Sequence, residues 1–446
     1  MNAREICLNI LIDINLKGAY SNFAINKYLN NRVDIRDENF IREIVYGVIE
    51  NRLYLDIIIS KLSKIKIKKI QPAILEILRM GVYQIAFMDK IPDRAAVNEA
   101  VTLSKKYGHK GVSGFVNGIL RNFSRNKEEA MKVKEEDPIN YLSIKYSHPK
   151  WLIQRWINEY GYDFTKEICE YNNLKPKLNI RVNRLKTNRD ELMENLSHYG
   201  YIVYKTKYAR DGIIVDNPAR ITEIEEFKFG YFTIQDESSM LVSQIANPKE
   251  GSLVLDLCSA PGGKSTHMAE LMGNKGKIIS RDIYDHKLNL VRENSTRLGV
   301  CIIETEILDA LELDKSLLGK VDYCIVDAPC SGLGIIRRRP EIKWNRKEED
   351  IKGLVQIQTK ILSNAKHYVK PGGIIIYSTC TIGREENLDI VNSFLMENKN
   401  FVLTELEDLL DYKENVNTVK NGYVQFFPHI HSMDGFFIAR IQKKDG

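Results

Sequence analysis

The sequence predicts a multidomain chain in three parts: an all-α bundle over 1–138, a small α+β domain over 139–235, and an α/β domain with a largely parallel sheet over 236–446. Three observations predict it. Apolar residues recur at three- and four-residue spacing in AREICLNILIDI, NFIREIVYGVIENRLYLDIIISKL and QPAILEILRMGVYQIAFM, which is the period of amphipathic helices. From Tyr141 to Gln235 short helical pieces alternate with strand-like ones. From Asp236 onward the apolar strands LVLDLC, KIISRDI, CIIETEI, YCIVDA, GIIIYST and FFIARIQ alternate with helical stretches. That alternation requires crossover connections, a parallel sheet and ligands at the carboxyl ends of its strands.

Along the first part, Pro72 suits a first helical turn after the Lys-rich KLSKIKIKKI. Pro92 breaks the chain between Met88 and the helix AAVNEAVTLSKKYG, and Gly108 and Gly111 punctuate the chain after that helix. The charged stretch RNKEEAMKVKEEDP reads as a solvated helix extension or linker and sets the first boundary. In the middle part WLIQRWINEYG and NRDELMENLSHYG read as helices, with LNIRVN, IVYKTKY, GIIVD and YFTIQ as strands.

With 446 residues, 43% of them hydrophobic, the chain buries a large core. Its apolar runs fall well short of the ~18 residues of a membrane span, and acidic residues interrupt the N-terminal apolar stretch. A cytoplasmic monomer without a membrane or secretory segment is expected. Cysteines at 7, 169, 258, 301, 324, 330 and 380 are odd in number and form no C-x-x-C pair, so reduced thiols are expected rather than disulfides or zinc. His429 and His431 have no partner at metal spacing and read as ordinary turn or surface histidines, so no metal is predicted. A net charge of +6 permits a polyanionic partner without demanding one.

The chemistry starts at the turn SAPGG after LVLDLC. Gly262 and Gly263 open a helix there, and backbone without Cβ atoms lets a ligand reach free amides. Asp282 ends the next strand, where a carboxylate accepts hydrogen bonds from ribose hydroxyls. A dinucleotide dehydrogenase fits the same loop, as do glycines that merely tighten a turn; the third glycine of G-x-G-x-x-G is absent. Cys330 and Cys380 each lie at the carboxyl end of a separate predicted strand, beside Pro329 and Thr379, whereas Cys7, Cys169, Cys258, Cys301 and Cys324 read as buried, inert thiols. A thiolate added to C6 of a pyrimidine makes C5 electron-rich enough to take a methyl group. Asp327, three residues before Cys330, is placed to face the ring nitrogen or amino group of such a base. Spacing does not assign roles to the two thiols.

Taken together, DLCSAPGGKST, VDAPCSGLGIIRRRPEIKW, YSTCTIGREEN and DGFFIAR resemble the RNA (cytosine-5)-methyltransferases that use S-adenosylmethionine, over nearly the whole chain. RRRPEIKW after the first cysteine points to the branch acting on 16S ribosomal RNA. So does an N-terminal half similar to the antitermination factor NusB in REIVYGVIENRLYLDIII, LEILRMGVYQIAFMDKIP, AVNEAV and GFVNGILRNF. The resemblance implies a NusB-like RNA-binding bundle, a small RNA-binding or linking domain and a Rossmann-like catalytic domain. It implies that Cys258, Ser259, Ala260, Pro261, Gly262, Gly263 and Lys264 form the methionine and nucleotide loop, with Asp282 on the ribose. Asp309 takes the acidic position near the adenine, in Leu-Asp-Ala where many relatives have Gly-Asp-Gly, and Asp327 borders both base and cofactor. It further implies that Cys380 attacks C6 and that Cys330 assists product release.

Lys264 touches substrate or cofactor, or is simply solvated. Arg337, Arg338, Arg339, Lys343 and Trp344 are expected to meet RNA at the rim of the site. Lys61, Lys64, Lys66, Lys68 and Lys69 form either an RNA contact or a solvated edge. A transfer-RNA cytosine-5 methyltransferase shares the catalytic motifs, and a non-catalytic RNA-binding assembly factor fits the N-terminal half alone.

Overall fold

The structure is a computed structural model that describes residues 2–29, 34–216, 218–412, 414 and 416–445. Its contacts divide the chain into two compact units, Met1–Leu174 with Ile336–Glu348, and Lys175–Ile335 with Glu349–Gly446.

The first unit is all-helical: α1 (Ala3–Lys17), α2 (Ser21–Tyr28), α3 (Ile35–Glu50), α4 (Arg52–Leu62), α5 (Pro72–Phe87), α6 (Asp93–Tyr107), α7 (Val112–Arg125), α8 (Lys127–Met131), α9 (Pro138–Lys145), α10 (Lys150–Tyr160) and α11 (Tyr162–Asn172). Local chemistry sets the ends. Asn2 accepts from the Glu5 amide at 2.9 Å to start α1, and Gly18 closes it with φ 71°. Pro72 stands in the first turn of α5. The apolar stripes bury Leu8, Leu11, Ile44, Val48, Ile77 and Leu120 completely, each burial being worth about 1.5–3 kcal/mol. Helices α3 and α5 approach closely at Gly47, where a Cβ would lie 1.9 Å from Tyr83 Cζ.

In the second unit, β1 (Leu178–Val182), α12 (Arg189–His198), β2 (Ile202–Lys205), β3 (Gly212–Asp216), the short α13 (Glu225–Lys228) and β4 (Phe232–Ile234) make an antiparallel sheet in the order β2-β3-β1-β4. Ile180, Val182, Phe232, Leu192 and Leu196 bury one face of it under α12. The chain continues through α14 (Glu237–Ala246), β5 (Leu253–Asp256), α15 (Gly263–Leu271), β6 (Lys277–Asp282), α16 (Asp285–Leu298), β7 (Ile303–Ile307) and β8 (Val321–Asp327). It then enters the first unit over Ile336–Glu348, where α17 (Ile342–Asn345) is a single turn. On return it forms α18 (Glu348–Tyr368), β9 (Val369–Thr379), α19 (Leu388–Glu397), β10 (Phe401–Leu403), β11 (Tyr423–Phe426), α20 (Pro428–His431) and β12 (Phe436–Lys443).

The large sheet runs β10-β12-β9-β8-β5-β6-β7, with β11 against β12. The central strands β9, β8, β5, β6 and β7 are parallel, and β12 is antiparallel to β9. The all-α, α+β and α/β classes are those the sequence predicts. The short β10 and β11 are additions, being three and four residues long and therefore too brief to show a period. No described helix is long and apolar enough to cross a membrane, and no cluster of metal-ligating side chains occurs among the described residues.

Candidate active site

Parallel strands place their carboxyl ends on one edge, and Asp256, Asp282, Asp327 and Thr379 are the last residues of β5, β6, β8 and β9. Each strand therefore delivers one loop to that edge. The loops after β8 and β9 bring Cys330 Sγ to 3.2 Å from Cys380 Sγ. The hydrogen bond to Cys380 and burial together hold the Cys330 thiol well above its ordinary value.

Beside the thiols, Lys264 Nζ donates to Asp327 Oδ2 at 2.5 Å, and Ser378 Oγ donates to Asp327 Oδ1 at 2.9 Å. Burial pulls the Lys264 ammonium down, but the Asp327 carboxylate overcomes it and leaves the lysine above its usual value. The charge of Cys380 acts on Lys264 in the same upward sense. Lys264 Nζ also lies 5.5 Å from the centroid of the Phe436 ring.

The two cysteine loops are held together by a buried network. Glu386 accepts from Ser331 N at 2.8 Å, Ser331 Oγ at 2.6 Å and Gln358 Nε2 at 3.0 Å. Ser331 Oγ and Thr381 Oγ1 lie 2.8 Å apart, and Gly334 N donates to Cys380 O at 3.0 Å. The backbones come so close that a Cβ on Gly334 would stand 2.0 Å from Gly435 O.

The turn from Cys258 to Lys264 suits a ligand. Gly262 has φ 96°, no side chain caps α15, and Ser259 Oγ is buried without a hydrogen-bond partner among the described residues. Burial and the neighbouring carboxylates raise the Cys258 thiol well above its usual value, keeping it neutral there. Asp256 accepts from Ser265 Oγ at 2.6 Å through one oxygen while its other oxygen is buried with no hydrogen-bond partner among the described residues, and burial raises its pKa to about 6. Asp282 accepts from the Tyr284 amide at 3.2 Å, and Asp309 is exposed just beyond β7. Buried unpaired oxygens and an uncapped helix end are what a polar ligand carrying hydroxyl and amino groups would satisfy.

Sequence reasoning named the cysteines, Asp327 and the glycine turn, but gave no role to Phe436, Glu386, Ser331 or Asp256. Phe436 and Glu386 stand within the quoted DGFFIAR and GREEN stretches, and Ser331 follows Cys330 directly, so the motifs carried the signal without the partners. Part of the RRRPEIKW stretch differs from expectation. Lys343 is fully buried and donates to Glu50 O at 2.9 Å, and Trp344 Nε1 donates to Ile49 O at 2.7 Å. Arg337 is buried, its guanidinium 4.5 Å from the Tyr171 ring centroid, while Arg339 is exposed beside Tyr20. Lys343 and Trp344 thus serve the packing of the helical unit, because backbone carbonyls there satisfy their donors. Lys64, Lys66, Lys68 and Lys69 are exposed, while Lys61 is tied to the Ala130 and Lys132 carbonyls.

Comparison with known proteins extends over the whole chain. The family model "16S rRNA methyltransferase RsmB/F" matches residues 243–442, the NusB family matches 1–125, and an RsmF/B-like ferredoxin-like domain matches 148–222. The chain is 39% identical to the probable ribosomal RNA small subunit methyltransferase B of Bacillus subtilis, over 99% of each chain. To its counterpart of that name from Synechocystis it is 34% identical, over 99% of this chain and all of the other. Among solved structures it is similar to PH0851, with a TM-score of 0.83, 27% identity and 99% of each chain covered. It is also similar to NSun6 from Pyrococcus horikoshii with SFG, with a TM-score of 0.59 and 25% identity, covering 67% of this chain and 99% of that one. Full-length identity, the three domain matches in order and the fold all agree: the chain belongs to the RsmB/F family of methyltransferases.

Proposed function

We propose that the chain transfers a methyl group to carbon 5 of a cytosine in 16S ribosomal RNA, with S-adenosylmethionine as donor and through a covalent cysteine adduct at C6. The observation that carries this reading is the 3.2 Å approach of Cys330 and Cys380 beside the Lys264–Asp327 pair. The ribosomal RNA methyltransferase names of the relatives support the substrate class, and the SFG of the solved neighbour, an S-adenosylmethionine analogue, supports the donor.

S-adenosylmethionine supplies an electrophilic methyl group. The Cys258–Lys264 turn holds its methionine and nucleotide parts, Asp282 its ribose hydroxyls, and Asp309 the adenine side. The target cytosine leaves its stack to reach the thiols, which favours an unpaired nucleotide. Asp327 accepts a hydrogen bond from the amino group of the base, and the Lys264 ammonium offsets the negative charge that builds on the ring during addition.

The Cys380 thiolate adds to C6, the C5–C6 π pair moves onto C5, and C5 takes the methyl group, with S-adenosylhomocysteine as the leaving product. Removal of the C5 proton then restores the C5–C6 double bond and expels Cys380. Once Cys380 is bonded to C6 its hydrogen bond no longer holds the proton on Cys330, so the largest cause of the raised Cys330 pKa disappears. Cys330 gives up its own proton to solvent and, as a thiolate, then takes the C5 proton.

The test incubates the protein with unmodified 16S ribosomal RNA and methyl-labelled S-adenosylmethionine, with digestion to nucleosides afterwards. Label in 5-methylcytidine is expected; label only with transfer RNA overturns the substrate, and label in another nucleoside overturns the chemistry. Cys380→Ala should give no product, and Cys330→Ala should trap a protein–RNA adduct stable on a denaturing gel. The reverse pattern exchanges the two roles.

A further inference from the structure

We infer that Arg181, on β1 of the small sheet, is a positioning residue that holds the cofactor turn in its binding shape, so that the small domain controls affinity for S-adenosylmethionine. Its side chain is wholly buried. From there the guanidinium donates to Gly263 O at 2.5 Å, Thr266 Oγ1 at 3.0 Å, Glu270 Oε1 at 2.7 Å and the Gln235 side chain.

Three of these four partners lie on α15, the helix opened by the glycine turn, and Gly263 belongs to the turn itself. Thr266 Oγ1 in turn donates to Gly262 O at 2.8 Å, so one planar fork fixes both glycines of the loop. The Cβ position of Gly263 would stand 3.5 Å from Gln235 Nε2, placing that amide against the same turn.

A buried ion pair alone is a poor source of stability, since taking two charges out of water costs about as much as their attraction returns. Arg181 and Glu270 are both fully withdrawn from solvent, and burial raises the Glu270 carboxyl pKa. The hydrogen bonds to Gly263 and Thr266 give this arrangement a use beyond packing. Glycine has no side chain with which to hold its own conformation, and an uncapped turn with φ 96° at Gly262 is free to relax unless its carbonyls are pinned.

This role for Arg181 rests on the reading of the turn as the S-adenosylmethionine site, and the experiment separates the two. S-adenosylmethionine binding is measured by calorimetry on the full chain for wild type, Arg181→Lys and the double variant Arg181→Met/Glu270→Leu, with Tm and RNA methylation rates alongside. The double variant removes both charges and should fold with a Tm near that of wild type. The lysine variant keeps the charge opposite Glu270 but not the fork.

Both should bind S-adenosylmethionine on the order of tenfold or more weakly, the value of a lost charge-assisted hydrogen bond, with kcat at saturating cofactor within about threefold of wild type. KM for RNA should stay unchanged. Wild-type affinity in either folded variant, or a fall in kcat without a change in affinity, overturns the role of Arg181. A wild-type chain that binds no S-adenosylmethionine overturns the reading of the turn, and the role of Arg181 with it.

Discussion

Two lysines of this chain are withdrawn from water and respond in opposite ways. Lys264, with its side chain 13% exposed, has Asp327 Oδ2 at 2.5 Å and titrates above an ordinary lysine. Lys343, wholly buried in the helical unit, meets a backbone carbonyl, and burial pulls its ammonium well down despite the charge of Glu50 nearby. Burial also raises Glu50. Burial therefore has no single consequence for a charge. A carboxylate in hydrogen-bond contact keeps an ammonium charged in a dry site, whereas a neutral carbonyl satisfies its geometry and leaves its charge poorly compensated. The first arrangement suits a site that must face a developing negative charge, and the second suits packing.

Breaking the paired case should have the largest effect. Asp327→Ala removes the counter-ion of Lys264 and the proposed contact to the base, and methylation in single turnover should fall on the order of a hundred- to a thousandfold. S-adenosylmethionine binding should be largely retained; an active variant would detach this pair from the chemistry. Next comes a buried carboxylate held by neutral donors. Glu386→Ala takes away the carboxylate that accepts from the Ser331 amide and hydroxyl, at a cost of about 1–3 kcal/mol for a buried group that finds no new acceptor. Methylation should slow by roughly tenfold or more as the cysteine loops lose their register, with cofactor affinity unchanged. Equal rates in both proteins would show that the loops keep their spacing without it.

Asp256 sharpens the comparison from the acidic side, because it is buried with a hydroxyl rather than a cation as its side-chain partner. Its folded pKa of about 6 lies above the ordinary value of 3.8, so between those values the folded state binds more protons than the unfolded one. This contribution to stability is fully present below pH 3.8 and is lost as pH rises through 6. Asp256→Asn removes the charge that must otherwise be buried. It should raise Tm relative to wild type at pH 8, by a share of roughly 3 kcal/mol at most, and leave Tm unchanged at about pH 4. A pH-independent Tm difference would refute the burial of a charge at this position. The smallest effect is expected at the lysine that meets a backbone carbonyl. Lys343→Met should leave the dependence of log Kd for RNA on log salt unaltered, since a buried ammonium releases no phosphate counter-ion. A slope reduced by about one would place Lys343 on RNA.

Much of this arrangement was legible in the sequence because it is local. The alternation of strand and helix, the Pro-Cys and Thr-Cys residues at strand ends and the glycine turn are each encoded within about ten neighbouring residues, and the sheet then assembles them at one edge. The illegible part joins distant residues. Glu386 meets Ser331 across 55 positions and Arg181 meets Gly263 across 82, and no periodicity reports such partnerships. Within RRRPEIKW, Lys343 and Trp344 misled for a physical reason. A run of cations ordinarily seeks solvent or phosphate, but the long stems of Lys343 and Trp344 bury well when carbonyls receive their tips.

The excursion of Ile336–Glu348 into the helical unit has a consequence for modularity. Within it, Glu341 accepts from the Ser21 amide at 3.0 Å, Lys343 reaches the end of α3, and Ile342 is buried. A chain cut to begin at Lys175 keeps this hook but loses everything it catches, leaving an indole, an isoleucine and two uncompensated charges on a thirteen-residue loop that comes shortly after Cys330. The helical unit is therefore not an appendage that recombination can simply add or remove. Losing it leaves a segment of the catalytic half's own sequence without the surface that buries it.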